Sequence, residues 1–403
     1  MKSIPRVSAL FPLLLVIYEI SIYLSNDMYL PALPDMMHDL SLSATHAQLT
    51  ITMWFLGSAI TPLFVGALAD RYGRRPVLLI GGLIYIISTI LCAVAINEYS
   101  LLFPRIIEGA MVATMMVGGY ACIHELYDHK EAIRVLAIMG AVSVLAPAFG
   151  PLLGAIILLF GNWRWIFWII AIFSTTMIIA LYYFMPETLT PEKQRPLHFK
   201  QILHNYWEVL ANKQFLLLMA ILGFNFAGFI GWVTTGPLLV IDSLRFSTLA
   251  FGWMQASVFI AYIIGSTLVN YLLKTKEANH LVYAGLIIAL LSALAGWACT
   301  TIFPQQFYLF LLSVITYSFG SALCFAPLNR LIIETSQQPM GIRVAMFTTG
   351  LMGAGVVGSA VTSVIYNGTS ASLAMIMSVC VMASCLLQFI QHCTIKDQPN
   401  RPA

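Results

Sequence analysis

Charge is what this sequence has least of. Only 9% of its 403 residues are Asp, Glu, Lys or Arg, while 60% are hydrophobic. Soluble domains carry roughly 25% charged residues, so the shortage excludes a water-soluble fold. The net charge of +3 is too small to mark a nucleic-acid-binding surface. Paired cysteines are missing as well. Cys92, Cys122, Cys299, Cys324, Cys380, Cys385 and Cys393 fit no zinc or redox spacing and read as small apolar packing residues. Catalytic signatures fail in the same way. In "HELYDH", His124 to His129, the second histidine comes one place too late for a zinc-binding helix. "GAGVVG", Gly353 to Gly358, lies in an apolar run with no preceding strand and reads as helix packing through small residues. No nucleophile elbow or phosphate loop is present, so the chain is not expected to be an enzyme or to hold a metal or cofactor.

What the sequence has instead is long apolar runs. A bilayer-spanning helix needs ~20 predominantly apolar residues. The first half offers Ala9–Leu30, Leu49–Ala69, Pro76–Ile96, Leu101–His124, Val135–Phe160 and Trp165–Phe184. The second offers Phe215–Val240, Ala250–Leu273, Leu281–Thr301, Phe307–Ile332, Val344–Tyr366 and Leu373–His392. The expected class is an all-α integral membrane protein of twelve transmembrane helices in two six-helix bundles. Met1 to Arg6 followed by an apolar run has the look of a signal peptide. The run is long and carries Glu19, so a retained first span is expected.

The longest interruption is 185–214, rich in proline and charge. It divides an N-terminal bundle, 1–184, from a C-terminal bundle, 215–403, as in transporters built from repeats. Within it "HFKQILHNYWEVLANKQF" has amphipathic helical spacing and is expected on the membrane surface. With the N-terminus placed in the cytoplasm, seventeen of the twenty Lys and Arg fall on the inner side. Arg164 and Arg245 fall outside and Arg105 falls within a span. The positive-inside rule therefore predicts twelve crossings with both ends cytoplasmic.

Four charges stand out within the spans, away from their inner ends: Glu19, Asp27, Arg105 and Glu108. Each costs at least ~2.5–3.5 kcal/mol there and is kept when it faces a cavity or a partner. Glu19, Tyr23, Asn26, Asp27 and Leu30 follow helical spacing, giving the first span a polar stripe. Arg105, after Pro104, is placed in the outer half of the membrane at the depth of Asp27. A pair between them, direct or through water, is possible. Glu108, at i+3 from Arg105, is a second candidate partner. One acidic site with two mutually exclusive occupants, a proton and a cationic substrate, would produce exchange. A fixed helix–helix clamp is the structural alternative. The second half has no comparable acids: Arg330 and Glu334 read as interfacial. Trp54, Phe55, Tyr120, Phe224, Phe226, Phe229 and Trp232, with Met115 and Met116, suit an adaptable pocket, or simple packing.

"GALADRYGRRP", Gly66 to Pro76, joins the second and third spans. Gly66 and Gly73 permit close approach and a tight turn, while Asp70 can meet a helix end or an arginine. This stretch resembles the inner-loop motif of the major facilitator superfamily. "SVLAPAFGPLLGA", Ser143 to Ala155, is similar to that superfamily's antiporter motif, and "LLFPRIIEG", Leu101 to Gly109, to its fourth-span motif. "NDMYLPALP" and "YEISIYLSND" resemble the Bcr/CflA and MdfA-type multidrug exporters.

The resemblance implies the major facilitator fold and proton-driven efflux. Glu19 and Asp27 match acids that bind protons or cationic drugs, with Tyr23 and Asn26 lining the pocket; Tyr120 joins the expected substrate site. Arg105 matches an arginine implicated in proton coupling. The gating set is Gly66, Asp70, Arg71, Gly73, Arg74 and Arg75 in the loop, with Pro147, Gly150, Pro151 and Gly154 in the fifth span. Three places depart from the pattern: Glu108; Ile342 and Arg343 in "MGIRVAM"; and "LLKTKEANHL", which lacks the loop motif. The expectation is an antiporter of small amphipathic or cationic compounds in a bacterial inner membrane, working as a monomer with protons, substrate and lipid as its partners. Export of one metabolite such as a siderophore, and uptake by proton symport, remain open.

Overall fold

A computed structural model of the chain describes residues 10–190 and 199–396. The sequence features at Met1 to Arg6, Pro191, Glu192, Lys193, Arg195, Pro196 and Arg401 lie outside the described residues. Those described form helices and no strand. Helix α1, Leu10–Asp27, stops short of Pro31. A 3-10 turn, Leu30–Ala32, takes that proline in its first turn and leads into α2, Leu33–Asp39. Together they make one crossing of 30 residues. Proline explains the interruption, since it lacks an N–H and clashes with the preceding turn.

The second expected span is two helices, not one. α3, Ala44–Ile60, and α4, Pro62–Tyr72, meet at 46°. Pro62 again marks the break. α5 (Arg74–Ala93), α6 (Glu98–Leu126), α7 (His129–Leu158) and α8 (Arg164–Phe184) complete six crossings. Their starts are chemically encoded: Ser43 caps α3, Asn97 and Ser100 form a capping box on α6, and Asp128 caps α7. Each cap satisfies an orphan N–H of the first turn.

The amphipathic stretch folds as α9, Phe199–Ala211. Then follow α10 (Lys213–Pro237), α11 (Thr248–Leu272), α12 (Ala278–Ile302), α13 (Phe307–Glu334), α14 (Met340–Ile365) and α15 (Ser370–Lys396). α10 runs on through a π turn, Leu238–Ser243, after Pro237. Among the described residues eleven segments are long and apolar enough to span a bilayer, and the bent α3–α4 pair makes the twelfth. The expected count of twelve agrees.

The contacts divide the described residues into two compact units. One holds those within Met1–Phe199 together with Ser247–Gln255; the other holds Lys200–Phe246 and Ala256 onward. In the first unit, small residues set the helix spacing. A Cβ on Gly57 would lie 1.9 Å from Ile106 O, and one on Gly109 would lie 1.9 Å from Trp54 O. So α3 and α6 pack backbone to backbone, the membrane solution where burial from water supplies no drive. In the second unit Gly285 and Gly320 do the same for α12 and α13. Gly358 packs against Ala227, as the helix-packing reading of "GAGVVG" expects, whereas a Cβ on Gly353 would meet nothing within 4 Å. Outward positions such as Ile80, Leu83, Leu291 and Phe389 are apolar and exposed, as a lipid-facing surface must be.

Candidate functional site

All four charges expected inside spans are buried in the first unit. Glu19 lies on α1 with no exposed surface. Its Oε1 accepts a hydrogen bond from the Tyr120 hydroxyl of α6 at 2.8 Å. Its Oε2 is buried without a hydrogen-bond partner. Tyr23, one turn on, is half-buried. Asp27 ends α1, where Oδ1 accepts from Asn26 Nδ2 at 3.4 Å.

Arg105 organises the rest. Its carboxylate partner is Glu108, at 2.5 Å, with both side chains fully buried. The expected pair with Asp27 is not a direct one. Arg105 instead donates to Asn26 Oδ1 at 3.3 Å, and the Asn26 amide links it to Asp27. Further donations reach Ser25 O at 3.0 Å and Thr50 O at 3.4 Å. The guanidinium also lies 4.4 Å from the Tyr29 ring centroid, a cation–π contact. Glu108 closes the network, accepting from Thr89 of α5 at 2.7 Å and contacting Cys92 Sγ at 3.9 Å. Arg105 and Glu108 thus tie α1, α3, α5 and α6 together. A buried ion pair needs such extra partners to offset desolvation. Helical spacing alone named Glu108 as a second candidate, and the tertiary contacts select it.

The antiporter motif meets the acid directly. On α7 a Cβ at Gly150 would sit 3.1 Å from Asp27 Cβ, and one at Gly154 would fall 1.7 Å from Met28 O. Glycine at these two positions lets α7 press against the turn that carries Asp27. Pro151 is buried beside them and Pro147 is half-buried, within a helix that continues past both.

The loop motif forms a second cluster. Gly73 has φ of 110°, a conformation in which side chains other than glycine are strained. Arg74 pairs with Asp70 at 2.7 Å and with Glu125 at 3.3 Å. Glu187 was expected only as part of the linker. Its carboxylate accepts from the backbone N–H of Arg74 at 3.1 Å and of Arg75 at 3.2 Å, capping α5. A carboxylate suits that positive helix end. Glu125, in the last turn of α6, is likewise a partner. Neither leaves a local signal, because both reach the loop from more than fifty positions away. Gly66 does not make the close approach expected of it: a Cβ there would meet nothing within 4 Å. Arg71 is exposed.

Of the pocket-lining candidates, Trp54, Phe55, Met115, Phe229 and Trp232 are buried, whereas Phe224 is exposed. In the second unit Asn225 centres a neutral network. Its side chain accepts from Ser321 at 3.1 Å and donates to Cys324 Sγ at 3.2 Å, while Tyr317 donates to its carbonyl at 2.8 Å. The ion pair of Arg330 with Glu334 is exposed. Among the described residues no group of three or more His, Cys, Asp and Glu is arranged to hold a metal.

Six crossings bearing a buried acid–arginine network, the loop motif and a glycine-rich fifth span define a secondary transporter. The model of the Major Facilitator Superfamily matches residues 15–359, and the chain belongs to that family. It is 28% identical over 334 residues to the "Multidrug resistance protein MdtM" of Escherichia coli K12, covering 82% of this chain and 80% of the relative. It is 28% identical to the "Chloramphenicol resistance protein CraA" of Acinetobacter baumannii, covering 87% and 84%. It is 29% identical to the "Multidrug transporter MdfA" of Yersinia pestis, covering 86% of each. Solved structures share the fold. A D-xylose–proton symporter matches with a TM-score of 0.74 at 16% identity, over 94% of this chain and 97% of that one. A POT family transporter in complex with 5-aminolevulinic acid matches with a TM-score of 0.76 at 13% identity, over 96% of each. The chain is therefore a multi-pass membrane transporter of small molecules and not an enzyme.

Proposed function

We propose that this chain exports small amphipathic or cationic compounds, drugs among them, in exchange for protons, by alternating access of two rocking bundles joined by the linker 185–214. The observation that carries the reading is Glu19, a carboxylate buried in a span with one oxygen held by Tyr120 and the other unpartnered. An unpaired charge there is costly, on the order of 2.5–3.5 kcal/mol or more. A proton or a bound cation removes that cost, and each excludes the other. Asp27 is the second exchange site, coupled to Arg105 through Asn26. Tyr23, Asn26 and Tyr120 orient the substrate beside the acids. Asp70, Gly73, Arg74 and Arg75 latch one conformation, with Gly66 and Arg71 in the same loop. Pro147, Gly150, Pro151 and Gly154 let α7 move against α1. The distribution of Lys and Arg supports cytoplasmic termini in a bacterial inner membrane. The names of the three relatives favour drugs over a single metabolite, and the transporter is taken to act as a monomer.

The test is reconstitution in liposomes with an internal pH dye. Adding a lipophilic cation to wild type should move protons. Glu19→Gln and Asp27→Asn should each abolish the response or its pH dependence. Proton movement unchanged in both variants would overturn the mechanism.

A further inference from the structure

We propose that the seam between α5 and α8 binds an anionic phospholipid of the cytoplasmic leaflet, its headgroup held at the arginine end of the loop. The two helices touch where Gly82 admits Ile178. Along that seam runs a groove of about 610 Å³ lined by residues including Leu79, Ile80, Leu83, Ile179, Tyr182 and Tyr183. This lies in the size range of small-ligand sites, ~300–1,000 Å³. Its walls are apolar and exposed on spanning helices, so its occupant is an acyl chain. The end that opens toward Pro76 selects the headgroup.

Three acids approach that end, and all are engaged. Asp70 and Glu125 pair with Arg74, and Glu187 caps the α5 backbone. Arg71 and Arg75 have no carboxylate partner within ion-pair distance among the described residues. Arg75 donates through Nη2 to Tyr182 O at 2.5 Å and lies 5.5 Å from the Tyr182 ring centroid, at the groove wall. Its Nε is buried without a partner. A guanidinium offers five donors in a fork that suits phosphate. Tyr182 and Tyr183 of the groove wall are exposed, as tyrosines are at the headgroup level. Basic pockets between spanning helices on the cytoplasmic side are suited to anionic headgroups. A neutral zwitterionic lipid would fill the same groove but leave the two arginines unmatched. A bound lipid would brace α5 at the helix end where Glu187 meets the loop.

Native mass spectrometry of the full chain in detergent tests this. After delipidation the protein is titrated with phosphatidylglycerol and, separately, phosphatidylcholine of identical acyl chains. Wild type should retain one phosphatidylglycerol preferentially. The preference should fall about fivefold for each charge removed in Arg71→Gln and Arg75→Gln. Leu83→Trp fills the groove at an exposed position, away from the arginines, and should lower retention of both lipids while the helix content by circular dichroism is kept. Equal retention of the two lipids by wild type overturns the proposal. So does a preference that survives both arginine variants. A preference lost with the arginines while Leu83→Trp leaves retention of both lipids unchanged places the lipid outside this groove and overturns it too.

Discussion

The polar centres of the two units are built from different chemistry. In the first, Arg105 and Glu108 form an ion pair with no exposed surface, and Glu19 and Asp27 sit nearby on α1. In the second, Asn225, Ser321, Cys324 and Tyr317 join α10 to α13 with hydrogen bonds alone. The Arg105–Glu108 pair and the Asn225 network both satisfy the rule that buried polar groups find partners. They differ in what can change. A neutral network has one state and holds shape. A network with carboxylates has a second occupancy available to it, because a proton or a cation can stand in for a missing partner. The acid that departs from the rule, Glu19 with its unpartnered oxygen, belongs to the charged unit. The exchange proposed above rests on that unit, and the neutral network of the second has no carboxylate to take part in it.

Removing Arg105 should break the contrast most severely. Arg105→Ala leaves Glu108 buried without its counter-ion and should cost ~3–5 kcal/mol, read as a large fall in the unfolding midpoint in detergent. Adding Glu108→Gln should recover part of the loss, since the stranded charge is then gone. An unchanged midpoint in the single variant would mean that the pair contributes nothing to the first unit.

Gly154→Ala comes next. Its Cβ cannot coexist with Met28 O at 1.7 Å, so α7 or the turn after Asp27 must shift, at a cost of ~1–3 kcal/mol. Transport should fall more than stability does, because the shift is at the acid. Equal turnover with intact stability would detach the antiporter motif from Asp27.

The smallest effect should come from the neutral network. Asn225→Ala should cost about 1 kcal/mol and leave the pH profile of transport unmoved. A displaced pH profile would erase the distinction between the two units.

The fold was largely legible in the sequence, and the site only partly. Hydropathy and the placement of Lys and Arg located twelve crossings and the acids within them. The bend at Pro62, the π turn after Pro237 and the inert surroundings of Gly66 were not legible. The same holds for the choice of Glu108 over Asp27 as direct partner, for Asn26 as the bridge, and for Glu125 and Glu187 at the loop. Proline in a span permits a break without specifying its angle. A partner contributed by another helix depends on how each helix is rotated about its axis. Soluble helices reveal that rotation through an apolar stripe, but these helices are apolar on nearly every side.

Composition and the order of residues thus determined that the chain crosses a membrane many times, which end of each crossing carries the arginines, and that acids stand inside the first span. Those properties follow from transfer free energies, which add along the chain without knowledge of neighbours. Only the tertiary structure decided which charge meets which. An ion pair depends on a few ångströms and on the polar groups around it, and the packing of glycine against backbone between helices sets those distances.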